Sequence, residues 1–143
     1  MAGRPATIRE NGRAKAYRPL PETARRTALA AALDAYGRGD FFLAHELLEP
    51  AWMGARDPAE RALHSGLIKV AAAFVHAVRD NPAGVTKNLE GARSRLQNAL
   101  AAGPGFGIDV ASVLAQVDVS LAAVGHGYAP SQVTITPLEV TVP

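Results

Sequence analysis

The chain has 143 residues, 48% of them apolar and 20% charged, with a formal net charge of +2 and no cysteine. That length suits one domain around one core, and the composition excludes a disordered or collagen-like chain. The lack of cysteine excludes disulfides, thiolate-bound zinc, iron-sulfur clusters and thiol nucleophiles. The longest apolar stretch, Gly66 to Val78, is interrupted by Lys69 and His76 and is shorter than the roughly 20 residues of a membrane span. No apolar signal core follows the N-terminus, so a cytoplasmic protein that does not enter the membrane is expected.

The charge is uneven: residues 1–26 hold seven Lys/Arg against Glu10 and Glu22, a net +5, which leaves the remainder at −3. Gly3, Pro5, Gly12 and Pro19 punctuate residues 1–20, where no apolar period is visible, so this segment reads as a loose basic arm. Its one aromatic, Tyr17, does not supply the interleaved stacking that single-strand binders use, and nucleic acid is not the expected partner.

From Pro21 onward the period is helical. A first helix is predicted from Pro21 to Tyr36, where Ala24, Ala28, Leu29, Ala32 and Tyr36 supply an apolar side and Gly37 and Gly39 end it. Asp40 caps a second helix from Phe41 to Trp52, in which Pro50 removes an amide donor and predicts a kink or an early end. Asp57-Pro58-Ala59-Glu60 sets a capping acid, a first-turn proline and a capping-box glutamate at the start of a third helix that runs to Arg79. Its centre, Leu67 to Val75, is apolar on nearly every side, as in a helix wrapped by others. Asn81-Pro82 opens a fourth helix along Val85, Leu89, Ala92, Leu96 and Leu100, stopped by Gly103. A fifth runs from Asp109 to Val124. The tail, Gln132 to Pro143, alternates apolar and threonine residues and reads as an extended segment, docked on its own helices or paired with a second subunit in a homodimer. The fold class is therefore all-α: a single bundle of about five helices over residues 21–127, with a basic arm before it and an extended tail over 128–143.

On the second helix, Phe41, His45, Leu48, Glu49 and Trp52 fall within about 100° of arc, which puts two ionisable groups in an apolar stripe. His45 and Glu49, four residues apart, are placed to form a carboxylate–imidazole pair or to share one ion. The alternative is a buried His–Glu hydrogen bond that tethers two helices. On the third helix Lys69, Ala72, Ala73, His76 and Arg79 share a face. His64 lies about 18 Å and 120° from His76 and is expected at the surface.

His45-Glu46-Leu47-Leu48-Glu49-Pro50-Ala51-Trp52 resembles the H-x-x-x-E-x-x-W motif of a small bacterial and archaeal helical family, the domain of unknown function 309. The run from Gly66 to Asn81 is similar to that family's G-L-I-Q, alanine run, histidine and R-G-N, and Gly84 with the Leu89 to Leu96 stripe extends the resemblance over about residues 25–101. The resemblance implies an all-helical bundle with no assigned activity, whose His and Glu are candidates for metal binding. Three positions depart from the pattern. Lys69 replaces a glutamine, Pro50 follows the motif glutamate where a second acid is frequent, and Asp80 replaces a glycine of positive φ, a conformation Asp tolerates better than most residues.

Together these readings predict a polar pocket between the second and third helices. Either His45, Glu49 and His76 would hold a divalent metal, zinc or iron, or Trp52, Lys69 and Arg79 would hold a small anionic ligand. The alternative is a non-catalytic structural or interaction module. No catalytic residue is assigned, and whether the protein is an enzyme is left open.

Overall fold

The computed structural model describes residues 6–10, 12–103 and 105–137. The predicted helices all form: α1 (Glu22–Gly37), α2 (Phe41–Gly54), α3 (Pro58–Val78), α4 (Pro82–Ala102) and α5 (Val110–Gly125). Four of the five begin on an acid or asparagine that accepts an orphan first-turn amide. Asp40 accepts from Leu43 at 3.2 Å, Asp57 from Glu60 at 2.9 Å, Asn81 from Gly84 at 3.3 Å and Asp109 from Ser112 at 3.1 Å. The early end expected at Pro50 does not occur, and α2 continues to Gly54. Proline removes only one helical bond, and Ala51 and Gly54 beyond it are buried. Asp80 takes a φ of 53°, so the substitution for glycine leaves the left-handed turn intact.

Consecutive helices pack on one another, with α3 between α2 and α4. Leu63, Leu67, Val70, Ala71 and Ala73 of α3 have no exposed surface. Gly66 lets α4 come close, since a Cβ there would stand 2.6 Å from Leu96 Cδ2. Among the described residues, no helix is long and apolar enough to cross a membrane.

The first correction concerns the basic arm. Two strands, β1 (Ala6–Glu10) and β2 (Arg13–Tyr17), pair as an antiparallel hairpin in which Ile8 pairs with Lys15 and Glu10 with Arg13. The signal was present in the sequence, because Asn-Gly between short strands is the strongest hairpin cue, and Gly12 has a φ of 76°. Alternation puts Ile8, Glu10, Lys15 and Tyr17 on one face, and these four are half-buried while their neighbours along the strands are exposed. The chain then runs beside the end of α2, where the Arg18 amide donates to the Met53 carbonyl at 2.9 Å and that of Leu20 to the Gly54 carbonyl at 3.2 Å. Any side chain at Gly54 would collide with Leu20.

The second correction is His64, which is fully buried. A helix with neighbours on both sides has little free arc, so angular distance from His76 does not imply solvent. Glu60 accepts from Arg25 Nε at 2.6 Å and Nη2 at 3.0 Å, and pairs with His64 Nε2 at 3.1 Å. The Phe106 ring meets His64 edge-on, with centroids 5.3 Å apart. Glu60 is therefore recruited from its expected capping-box role into a buried ion pair that joins α1 to α3.

The tail docks on its own chain as far as it is described. Val133 is fully buried and Ile135 partly so. Gln116 of α5 exchanges hydrogen bonds with the Thr134 backbone, accepting at 2.7 Å and donating at 2.9 Å. Ser120 donates to the Ser131 carbonyl and the buried Tyr36 hydroxyl of α1 to that of Val133. The Asp109 amide donates to the Thr136 carbonyl at 2.9 Å. The expected burial of Leu138, Val140 and Val142 lies outside the described residues.

Two outcomes are expected. Burial pushes the Glu60 carboxyl up, but the hydrogen bonds from His64 and Arg25 outweigh it and hold the group below its usual value of 4.5. A lowered folded pKa contributes stability that is complete above the unfolded value and disappears as pH falls through the folded one. Glu60→Ala therefore costs about 3 kcal/mol at neutral pH, and its deficit against wild type shrinks below about pH 4.5 in denaturant titrations. Truncation after Pro130 removes Val133 and its hydrogen bonds, and lowers the melting temperature by about 5 °C or more.

Candidate functional site

The inner face of the hairpin lies over α2, α3 and α4, held by Arg61 of α3. Arg61 is 1% exposed, a position a guanidinium occupies only when its charge is paired and most of its donors are bonded. Its Nε donates to Glu10 of β1 at 2.9 Å, and its Nη1 donates to the carbonyls of Trp52 at 2.9 Å and Ala55 at 3.0 Å. The Trp52 indole N–H also donates to Glu10, at 3.2 Å, while the guanidinium carbon sits 5.1 Å from the indole centroid. Strand, helix and aromatic ring are thereby fixed at one carboxylate.

Beside this pair is a cavity of about 250 Å³ lined by Lys15, His45, Glu49, Trp52, Lys69 and Arg95, with Glu10, Ser65 and Ile68 completing its walls. Its cations come from three elements, β2, α3 and α4. Gly91 of α4 makes room for them, since a Cβ there would lie 3.2 Å from Arg95 Nη1 and 3.6 Å from Lys69 Cδ. Arg95 Nη1 donates to the Gly91 carbonyl at 3.1 Å. None of Lys15, Lys69 and Arg95 forms an ion pair among the described residues. Burial, and then the positive charges of Arg95, Lys87 and Lys15, hold the Lys69 ammonium below the usual lysine range.

His45 and Glu49 stand at the rim. His45 Nε2 is 3.8 Å from Glu49 Oε1 and Nδ1 is 3.4 Å from Glu46 Oε1, with 27% of the His45 side chain and 41% of that of Glu49 exposed. His45 Nδ1 is buried without a hydrogen-bond partner, and the Phe42 ring stacks on the imidazole at 6.4 Å between centroids. This is not the buried helix tether that the spacing allowed. One donor atom from each of His45, Glu46 and Glu49 falls within 4.8 Å of the others, which is close enough to share an ion.

Of the predicted site residues, the structure brings together His45, Glu49, Trp52 and Lys69 and leaves out His76 and Arg79. His45 is level with Ile68 and Lys69 of α3, whereas the start of α2 meets Val75, Val78 and Arg79. The two helices thus run antiparallel, and His76 lies seven residues, about 10 Å of axial rise, beyond Lys69. His76 instead pairs with Asn81 at 3.1 Å, against Gly84 at the start of α4. Arg79 follows the last turn of α3 and is exposed. The sequence reading missed Glu10, Lys15, Glu46 and Arg95. Alternation within the Asn-Gly hairpin would have put Glu10 and Lys15 on one face, but no local pattern points to Arg95.

Residues 29–88 match the model of a family described as Domain of unknown function (DUF309). The match covers 60 of the 143 residues. The match includes His45, Glu49, Trp52 and Lys69, and confirms the resemblance read from the H-x-x-x-E-x-x-W motif. The hairpin, Arg95, α5 and the tail lie outside the matched DUF309 segment. No curated protein matches the chain.

The crowding of cations predicts that the pH dependence of Lys69 acetylation, followed by mass spectrometry, gives a pKa below the ordinary lysine range that rises in Arg95→Gln. An ordinary Lys69 pKa in wild type would refute the placement of these charges.

Proposed function

We propose that the protein binds a small anionic ligand in the cavity under the hairpin. The observation that carries the reading is the convergence of Lys15, Lys69 and Arg95 around about 250 Å³, with no ion-pair partner for any of them among the described residues. Like charges gathered in a partly desolvated space repel one another, and an anion relieves that repulsion while accepting charge-assisted hydrogen bonds. The volume, just under the usual range for metabolite pockets, suits a carboxylate or phosphate head group. His45 lines the same cavity beside Glu49 and adds a ring N–H as a fourth donor at the rim.

A second reading rests on a different observation, the approach of donor atoms from His45, Glu46 and Glu49 to within 4.8 Å. One imidazole and two carboxylates with open positions form a nitrogen–oxygen donor set that a divalent ion such as zinc accepts, and these three residues would hold the ion at the rim. Two carboxylates offset the nearby Lys69.

Titration with inorganic phosphate at low ionic strength, read by calorimetry and thermal shift, tests the first reading. Wild type binds and is stabilised, and Lys69→Gln and Arg95→Gln each weaken binding about tenfold, one charge-assisted bond being lost in each. If neither phosphate nor a dicarboxylate such as succinate raises the melting temperature, the anion reading is wrong. Elemental analysis of protein prepared without chelator or metal-affinity tag tests the second reading. Stoichiometric metal that disappears in His45→Ala and Glu49→Gln supports it, and metal-free wild type rejects it.

A further inference from the structure

A second cavity, of about 260 Å³, lies on the other side of Glu10. Its apolar lining is small, with Ile8 from the hairpin, Pro58, Ala59 and Ala62 from α3 and Ala102 from the end of α4, and Arg9 and Asn98 add polar edges. It shares Glu10, Ser65 and Arg95 with the polar cavity, so the two adjoin, and Arg95 borders both. Arg61 also lines the second cavity and keeps Nη2, a buried donor, without a partner.

We infer that the two cavities form one bipartite site, and that the ligand class is an anionic head group carrying a short apolar chain. The inference rests on the anion reading above and extends it to the rest of the molecule bound. The head group sits with Lys15, Lys69 and Arg95, and the chain crosses beside Arg95 into the second cavity, where alanines leave space that a larger side chain would have filled. At about 30 Å³ per water-sized group, the cavity holds roughly eight such groups. A bare phosphate or acetate would leave this apolar wall wet, and covering it with methylenes is favourable. Methylenes beyond that number would run out of the open cavity and gain no further burial.

Calorimetric titration with inorganic phosphate and with methyl, butyl and hexyl phosphate tests the inference. Affinity is expected to rise about two- to fourfold per methylene along the series. Ala102→Trp, at an exposed position, should flatten the series while phosphate itself still binds, and Ala62→Phe should do the same from the opposite wall. Lys69→Gln and Arg95→Gln should weaken every member. A flat series in wild type with phosphate binding intact overturns the bipartite site and leaves the anion reading standing. A chain-length effect that survives both Ala102→Trp and Ala62→Phe places the chain elsewhere and also overturns it. If no member binds, the anion reading falls, and the bipartite site with it.

Discussion

A guanidinium with 1% of its surface exposed has to be neutralised and hydrogen-bonded where it lies, and Arg61 takes its counter-charge from Glu10, fifty-one residues away along the chain. Burying either charge alone would be strongly unfavourable, so the hairpin and the first turns of α3 have to meet. The rest of the site follows from that meeting. With Glu10 in place, Ile8 and Lys15 are carried by strand alternation onto the bundle. The Trp52 indole gains an acceptor, and two cavities open beside one carboxylate.

The beginning of α3 serves both scaffold and site. Glu60 and His64 turn to α1 and close a buried network with Arg25, while Arg61 and Ser65 turn to the hairpin and the cavities. Residues four apart share one side of a helix while adjacent residues stand about 100° apart, so one helical start anchors two N-terminal segments. The polar side chains with a structural role are therefore the buried Glu10–Arg61 and Glu60–Arg25–His64 sets. The motif pair His45 and Glu49 keeps substantial solvent access, an arrangement that leaves imidazole and carboxylate available to a ligand.

The DUF309 segment supplies only part of the cavity. His45, Glu49, Trp52 and Lys69 fall within residues 29–88, whereas Glu10, Lys15 and Arg95 lie outside them. The positive character thus comes mainly from the hairpin and the second half of α4. Lys69, within the matched segment, adds its charge to those of Lys15 and Arg95 in the same space.

The helices were legible from local rules, because cap hydrogen bonds, proline at the first turn and a 3.6-residue apolar period involve residues only a few positions apart. Asp57-Pro58 and Asn81-Pro82 marked the starts of α3 and α4, and the apolar centre of α3 announced its burial. The His45, Glu49 and Trp52 side of the site was legible for the same reason, as one face of one helix. What required the tertiary structure was every pairing across large sequence separation. The antiparallel turn between α2 and α3 moved His76 and Arg79 out of the site and left Lys69 in it. Close packing on both sides of α3 buried His64. Only the meeting of β1, β2 and α4 over α3 brought Glu10, Lys15 and Arg95 to one cavity. A sequence period records which face a side chain occupies, but the element opposite that face is decided by packing and charge neutralisation over the whole chain.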